Sequence, residues 1–383
     1  VPDDLDRGSH VVSPSPRSVA MAASARAERD GRVYAALDLG TNNCRLLVAV
    51  PDRAGFRVVD AFSRIVRLGE GMSREGVLSS VAQARALDAL AICRDKLAEN
   101  AVSRSRLIAT EACRAAENGP QFLARVRSEL GLDLEIVDRE TEARLAVQGC
   151  EPLIDPEADA ALLFDIGGGS TELAFLVDVP SRRPRIEDWT SLPIGVVTLA
   201  ERHGGHHVTP EIFAGMVEDV ARLIDAFPAR NRLARAARAA RFHLLGTSGT
   251  VTTVAGVHLG LKRYDRRRVD GLWMTDEQVS DVVESLVGLS FEERVQNPCI
   301  GLDRADLVLA GCAILEAIRD AFPAPRLRVG DRGLREGILV ELMREDGTLG
   351  GNPDAPGLRP GDRRRRRRRR RAVQADGTQG GMG

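Results

Sequence analysis

Two aspartates stand where two glycine-rich turns begin, 127 positions apart, and the residues around them repeat. Asp38-Leu-Gly-Thr-Asn-Asn-Cys-Arg-Leu-Leu-Val-Ala-Val50 aligns without a gap on Asp165-Ile-Gly-Gly-Gly-Ser-Thr-Glu-Leu-Ala-Phe-Leu-Val177. A carboxylate at the end of a strand can hold a divalent cation or its water shell. Glycines let the backbone turn back tightly and leave N–H groups uncovered, and such groups cradle phosphate oxygens. Two copies in one chain imply a duplicated fold with phosphate clamped between its halves.

The elements that must position these turns follow from the apolar pattern. Val33–Leu37 and Ala160–Phe164 precede the two turns, so each half opens with strand, turn, strand. In the first half a further strand is expected near Phe56–Ser63, then the turn Gly69-Glu-Gly-Met. An amphipathic helix is expected over Ser80–Asn100, with Val81, Ala84, Leu87, Leu90, Ala91 and Leu97 on one face. Leu107–Ala109 and Leu134–Val137 read as strands, Gln121–Leu130 as a helix closed by Gly131, and Thr141–Gly149 as a helix. In the second half Thr209-Pro210 and Thr275-x-x-Gln278 are helix starts. Phe242–Leu245 runs into Gly246-Thr-Ser-Gly-Thr250, another glycine turn before a helix, and Gly333–Glu345 reads as the last helix. Strands alternating with helices give an α/β architecture, and the opening hairpins make its sheets mixed. The expected domains are 31–153 and 154–346.

Composition narrows the class. The chain has 383 residues, 43% apolar and 28% charged, which suits two domains. No uninterrupted apolar stretch approaches the ~18–20 residues that span a bilayer. The start lacks an apolar secretory core and holds Met21 after a Ser/Pro-rich run, so either Met21 is the expected true start or residues 1–30 are a disordered leader, and neither reads as an export signal. Six cysteines without a C-x-x-C pair read as reduced thiols of a cytoplasmic protein. The net charge of −1 conceals an asymmetry, because nine consecutive arginines occupy 363–371. Without them 45 basic residues face 55 acidic ones, so the body is no generic polyanion binder and local groups must hold any anion. The tail 347–383 is expected to be disordered. Its arginines would bind polyphosphate or nucleic acid non-specifically, or reflect drift in a chain with only two lysines, Lys96 and Lys262.

The segments DLGTNN (38–43), TEACRAA (110–116), ETEARL (140–145), DIGGGSTEL (165–173), GTSGT (246–250) and GDRGLREGIL (330–339) together resemble the exopolyphosphatase/guanosine pentaphosphate phosphatase (Ppx/GppA) family. The resemblance spans roughly 33–346 and matches the short, two-domain form. It implies two duplicated actin-like (ribonuclease H-like) domains with an interdomain cleft. It also implies a bacterial, cytoplasmic enzyme using Mg²⁺ or Mn²⁺, with a homodimer as one assembly. On this resemblance Glu142 is the catalytic glutamate, with Glu140 a weaker candidate, and Arg114 points at the site. Asp38, Asp165 and Glu172 are the metal-side carboxylates. Thr41, Asn42, Gly167, Gly168, Gly169 and Ser170 offer N–H groups to the terminal phosphate, with Gly246, Ser248, Gly249 and Thr250 secondary to them. Arg332 and Arg335 are expected to be structural.

The implied reaction is release of terminal orthophosphate from inorganic polyphosphate. A sibling reading replaces the substrate by the 5′-γ-phosphate of guanosine pentaphosphate (pppGpp). Two rivals share the hairpins: a sugar- or acetate-type kinase, against which ETEARL argues, and a non-catalytic actin-like ATP-binding scaffold. His203-Gly-Gly-His206-His207 is expected to be a solvated loop, and Lys262-Arg-Tyr-Asp-Arg-Arg-Arg268 either a charged loop or a guide for polyanions.

Overall fold

The computed structural model describes residues 32–52, 55–179, 184–239 and 241–349. The leader, and the tail beyond Leu349, lie outside the described residues. In the first half strands β1 (Tyr34–Leu39), β2 (Asn43–Asp52), β3 (Gly55–Ile65), β4 (Arg104–Ala109) and β5 (Glu135–Ile136) form one sheet in the order β3-β2-β1-β4-β5. In the second half β6 (Ala160–Ile166), β7 (Thr171–Val177), β8 (Arg185–Leu192), β9 (Phe242–Thr247), β10 (Trp273–Thr275) and β11 (Arg326–Gly330) run β10-β11-β9-β6-β7-β8. Read from the hairpin edge, both sheets have one topology. Two antiparallel pairs are followed by two parallel ones, and β10 is an antiparallel addition to the second sheet. The sheets are mixed because each half opens with a meander that needs only tight turns, whereas later strands return through helices.

Burial follows the pattern. Strands β1 and β6 are apolar on both faces because helices cover both sides. Two helices cross between the sheets: Arg139–Cys150, capped by Asp138, and Leu334–Glu345. They touch backbone to backbone at glycines. A Cβ on Gly149 would lie 1.9 Å from Gly333 O, and one on Gly337 2.0 Å from Leu145 O. The Leu334–Glu345 helix packs Ile338, Leu339 and Met343 against Tyr34, Ala36 and Leu47 of the first sheet. Leu349 joins the same cluster, so ordered packing continues past Asp346.

Two expectations need correction. The helix Ser80–Glu99 buries Ala82, Ala86, Leu87, Ala89, Leu90 and Cys93, while Val81 is 63% exposed. Its inward face is set by small alanines that allow close approach to the sheet rather than by the largest apolar residues. His203, for its part, closes the helix Val196–His203 and hydrogen-bonds Asp219 at 2.8 Å, while His206 stacks on Phe291. That segment is therefore tied down on both sides.

Candidate active site

The duplicated register sets the floor of the cleft. Asp38 pairs across the first hairpin with Arg45, and Asp165 pairs across the second with Glu172. Each turn is closed by one bond at the same position, Gly40 N–H to Asn43 O and Gly167 N–H to Ser170 O, both 2.9 Å. The two turns meet face to face. A Cβ on Gly168 would lie 2.9 Å from Thr41 Cβ and 3.0 Å from Asn42 N, so only glycine permits this approach. The N–H groups of Thr41, Asn42, Gly168 and Gly169 make no backbone hydrogen bond among the described residues, and Asn42 Oδ1 is buried without a partner.

Glu142 enters from the first turn of the helix Arg139–Cys150, where the helix dipole favours negative charge. Its Oε2 accepts from Arg114 Nη1 and Nη2, both at 3.2 Å. Arg114 is otherwise committed, donating to Glu111 Oε2 at 2.5 Å from Nη2 and to Val137 O at 2.6 Å from Nη1. Arg139 holds the other oxygen of Glu111 at 2.8 Å. Arg114 thus aims Glu142 into the cleft and does not itself line it. Glu140 is exposed and lies off the cleft.

Four carboxylates face one space, and their electrostatics follow. Burial raises Glu142 well above the ordinary range, Glu172, Asp38 and Asp165 add to the rise, and Arg114 opposes it. Burial and the charge of Asp165 push Glu172 to about 7, although Ser191 Oγ donates to it at 2.9 Å. Asp165 rises to about 6 and Asp38 rises too, both through burial, with Arg45 and Arg335 pulling the other way. Neither aspartate has a hydrogen bond or ion pair among the described residues. Two partly buried carboxylates without partners are costly unless a cation sits between them. An all-oxygen donor set suits Mg²⁺ or Mn²⁺. No three His, Cys, Asp or Glu side chains among the described residues form a cage by themselves. Mg²⁺ needs none, since one or two carboxylates with waters and phosphate oxygens suffice.

The far wall is the turn after β9. Ser248 has φ 90°, a left-handed conformation that costs a non-glycine residue, and its buried Oγ has no partner among the described residues. Ser248, Gly249 and Thr250 line the cleft at the start of the helix Gly249–His258. Gly246 does not line it. That glycine lies within β9, where a Cβ would collide with the Phe164 ring at 2.5 Å, so its role in the fold is packing. Four arginines complete the lining: Arg45, Arg304, Arg332 and Arg335. Arg45, Arg304 and Arg335 form no ion pair among the described residues, although Arg304 donates to Thr253 Oγ1 at 3.3 Å. Of the two arginines expected to be structural, Arg332 is ion-paired with Asp270. Arg335 instead shares the cleft lining with Asp38 and has no ion pair among the described residues. Arg45 and Arg304 were not singled out by sequence. The only signal for Arg45 was its place across the hairpin from Asp38.

Backbone amides and unpaired arginines facing a cluster of carboxylates, between halves of repeated topology, define a two-domain enzyme of phosphoryl chemistry. Known proteins bear this out. The sequence profile of the Ppx/GppA phosphatase family matches residues 47–346. The Aquifex aeolicus Ppx/GppA family member is 27% identical, with 82% of this chain and 98% of that chain covered and a TM-score of 0.67. An exopolyphosphatase-like protein is 29% identical, with coverage of 82% and 99% and a TM-score of 0.72. An exopolyphosphatase from Cytophaga hutchinsonii, at 24% identity, 84% and 100% coverage and a TM-score of 0.74, shows the same fold. The chain belongs to the Ppx/GppA phosphatase family and is a phosphoanhydride hydrolase, with the α/β fold of two mixed sheets of repeated topology that the motifs implied.

Proposed function

We propose that this phosphatase is a cytoplasmic exopolyphosphatase that releases terminal orthophosphate from inorganic polyphosphate. The observation that supports it best is Glu142, held by Arg114 in the space that Asp38 and Asp165 face. In this reading the uncovered N–H groups of Thr41, Asn42, Gly168 and Gly169 bind the terminal phosphoryl oxygens, and Arg45 and Arg335 add positive charge. Asp38 and Asp165, with Glu172 beside them, hold Mg²⁺ or Mn²⁺, which supplies further positive charge to those oxygens when bound. Glu142 orients a water in line with the scissile bond and takes its proton. A base whose pKa is raised by burial accepts that proton more readily than an ordinary carboxylate. The terminal P–O bond breaks, orthophosphate leaves, and the shortened chain keeps the bridging oxygen. The unpaired arginines favour an anionic substrate without selecting between polyphosphate and the γ-phosphate of pppGpp.

Phosphate release from long-chain polyphosphate, pppGpp and ATP, measured side by side with and without Mg²⁺, tests the assignment. Faster release from polyphosphate than from pppGpp supports the exopolyphosphatase. The reverse order makes the enzyme a pppGpp 5′-phosphohydrolase, and ATP binding with slow turnover makes it a scaffold.

A further inference from the structure

The two glycine turns are joined by a second route that runs outside the chemistry. In the first half Val66 N–H and Arg67 N–H donate to Asn42 O at 2.9 and 3.1 Å, and Gly69 N–H donates to Thr41 O at 2.9 Å. The loop 66–71, which leads into the short helix Met72–Glu75, is therefore hung on the carbonyls of the first turn. In the second half Val196 N–H and Val197 N–H donate to Gly167 O and Gly168 O at 3.0 and 2.8 Å, so the helix Val196–His203 is hung on the second turn. Glu201, on that helix, reaches across to the first half. Its carboxylate accepts from Gly71 N–H at 2.7 Å and from Ser73 Oγ.

A second crossing lies beside it. Arg67 grips both oxygens of Asp306 at 2.7 and 2.9 Å and donates to Asp303 O at 3.1 Å. Arg67 has φ 47°, a strained conformation for a non-glycine residue that persists only where surroundings over-determine it. Arg85 adds such a constraint by donating to Val66 O and Arg67 O. The anchors on the other side are one rigid body. Arg294, 1% exposed, donates to Gly205 O, His206 O and Ala305 O and so fuses the end of the Glu201 helix to the Asp306 segment.

We propose that Glu201, with the Arg67–Asp306 pair, is a positioning residue: a latch that sets the separation of the two amide-lined turns without touching substrate. The consequence for turnover rests on the reading that those amides bind the terminal phosphoryl group; the latch itself does not. Opening it lets the turns part, so substrate binding must do the closing. The effect falls on KM, while kcat at saturation is kept.

The test compares full-length Glu201→Ala, Asp306→Ala and Glu201→Gln with the parent, by amide hydrogen exchange without substrate and by kinetics on polyphosphate. Glu201→Ala should speed exchange of the amides bonded to the two turns together, Val66 and Gly69 at the first and Val196 and Val197 at the second, and should raise KM by about 5–20-fold with kcat changed by less than about twofold. Glu201→Gln, which still offers an oxygen to Gly71 N–H, should recover most of the loss. Should Glu201→Ala fail to fold, Ser73→Ala at its exposed site carries the same expectation at smaller size. Exchange that speeds at one turn only or at neither, or a fall in kcat with KM unchanged, overturns the latch. Exchange needs no reaction, so a parent inactive on phosphoanhydrides would overturn the proposed function while leaving the latch tested.

Discussion

Glu172 stands directly across the second hairpin from Asp165, at the position where the first hairpin sets Arg45 across from Asp38. The duplication has thus kept the aspartates and given their partners opposite charge. The second half is the more strained electrostatically, with Glu172 near 7 and Asp165 near 6.

That asymmetry sets the pH dependence of the metal-free protein. A carboxylate whose folded pKa is raised binds more protons folded than unfolded, so stability falls as pH rises from the unfolded to the folded value. For Glu172 that window runs from the ordinary glutamate value of 4.5 to about 7. The melting temperature in chelator should be higher at pH 5 than at pH 8. Glu172→Gln should be more stable than the parent at pH 8, by up to about 3 kcal/mol, with a flatter profile. Parallel profiles for parent and variant would contradict the assignment.

Metal dependence has the opposite sign. A cation binds the charged carboxylates, so its affinity should rise with pH over the same window. Asp38→Ala and Asp165→Ala should each raise the Mg²⁺ concentration needed for half-maximal activity by at least about tenfold, in line with loss of one of two carboxylates. Full activity in chelator would remove the two-aspartate account.

Arg114 separates positioning from binding. Its N–H groups are engaged by Glu111, Val137 O and Glu142. Arg114→Ala should therefore lower kcat by about 10–100-fold through a misplaced base, with KM within a factor of about three. A raised KM with kcat intact would mean that Arg114 contacts phosphate.

Ser248 is strained and its buried hydroxyl has no partner among the described residues. Ser248→Gly should relieve the backbone and raise stability by roughly 1 kcal/mol. If the hydroxyl serves the substrate, the same change raises KM several-fold. A loss of stability would show that the hydroxyl is a structural contact instead.

Much of this was legible in sequence because it is local. The repeated aspartate-glycine hairpins, the N-cap of Thr209 and the capping box of Thr275 depend on residues a few positions apart, and all are present. The inward face of Ser80–Glu99 was less legible, because alanine packing depends on a sheet whose distance the sequence does not state. Arg45, Arg304 and Arg335 converge from three separate elements, and spacing along the chain carries no signal for that. The resemblance points Arg114 at the site, but nothing in TEACRAA reveals that Glu111 and Glu142 hold its guanidinium. Gly246 looked like part of a phosphate turn, but Phe164 lies against it.

The most direct measurement is single-turnover hydrolysis of polyphosphate by Glu142→Gln, alongside direct binding of the same substrate. The glutamine keeps the size of the side chain and an oxygen for Arg114 but cannot take a proton. The rate should fall by about 10²–10⁴-fold with binding within a factor of about three, as for loss of a general base. A rate within a few-fold of the parent would contradict the role assigned to Glu142.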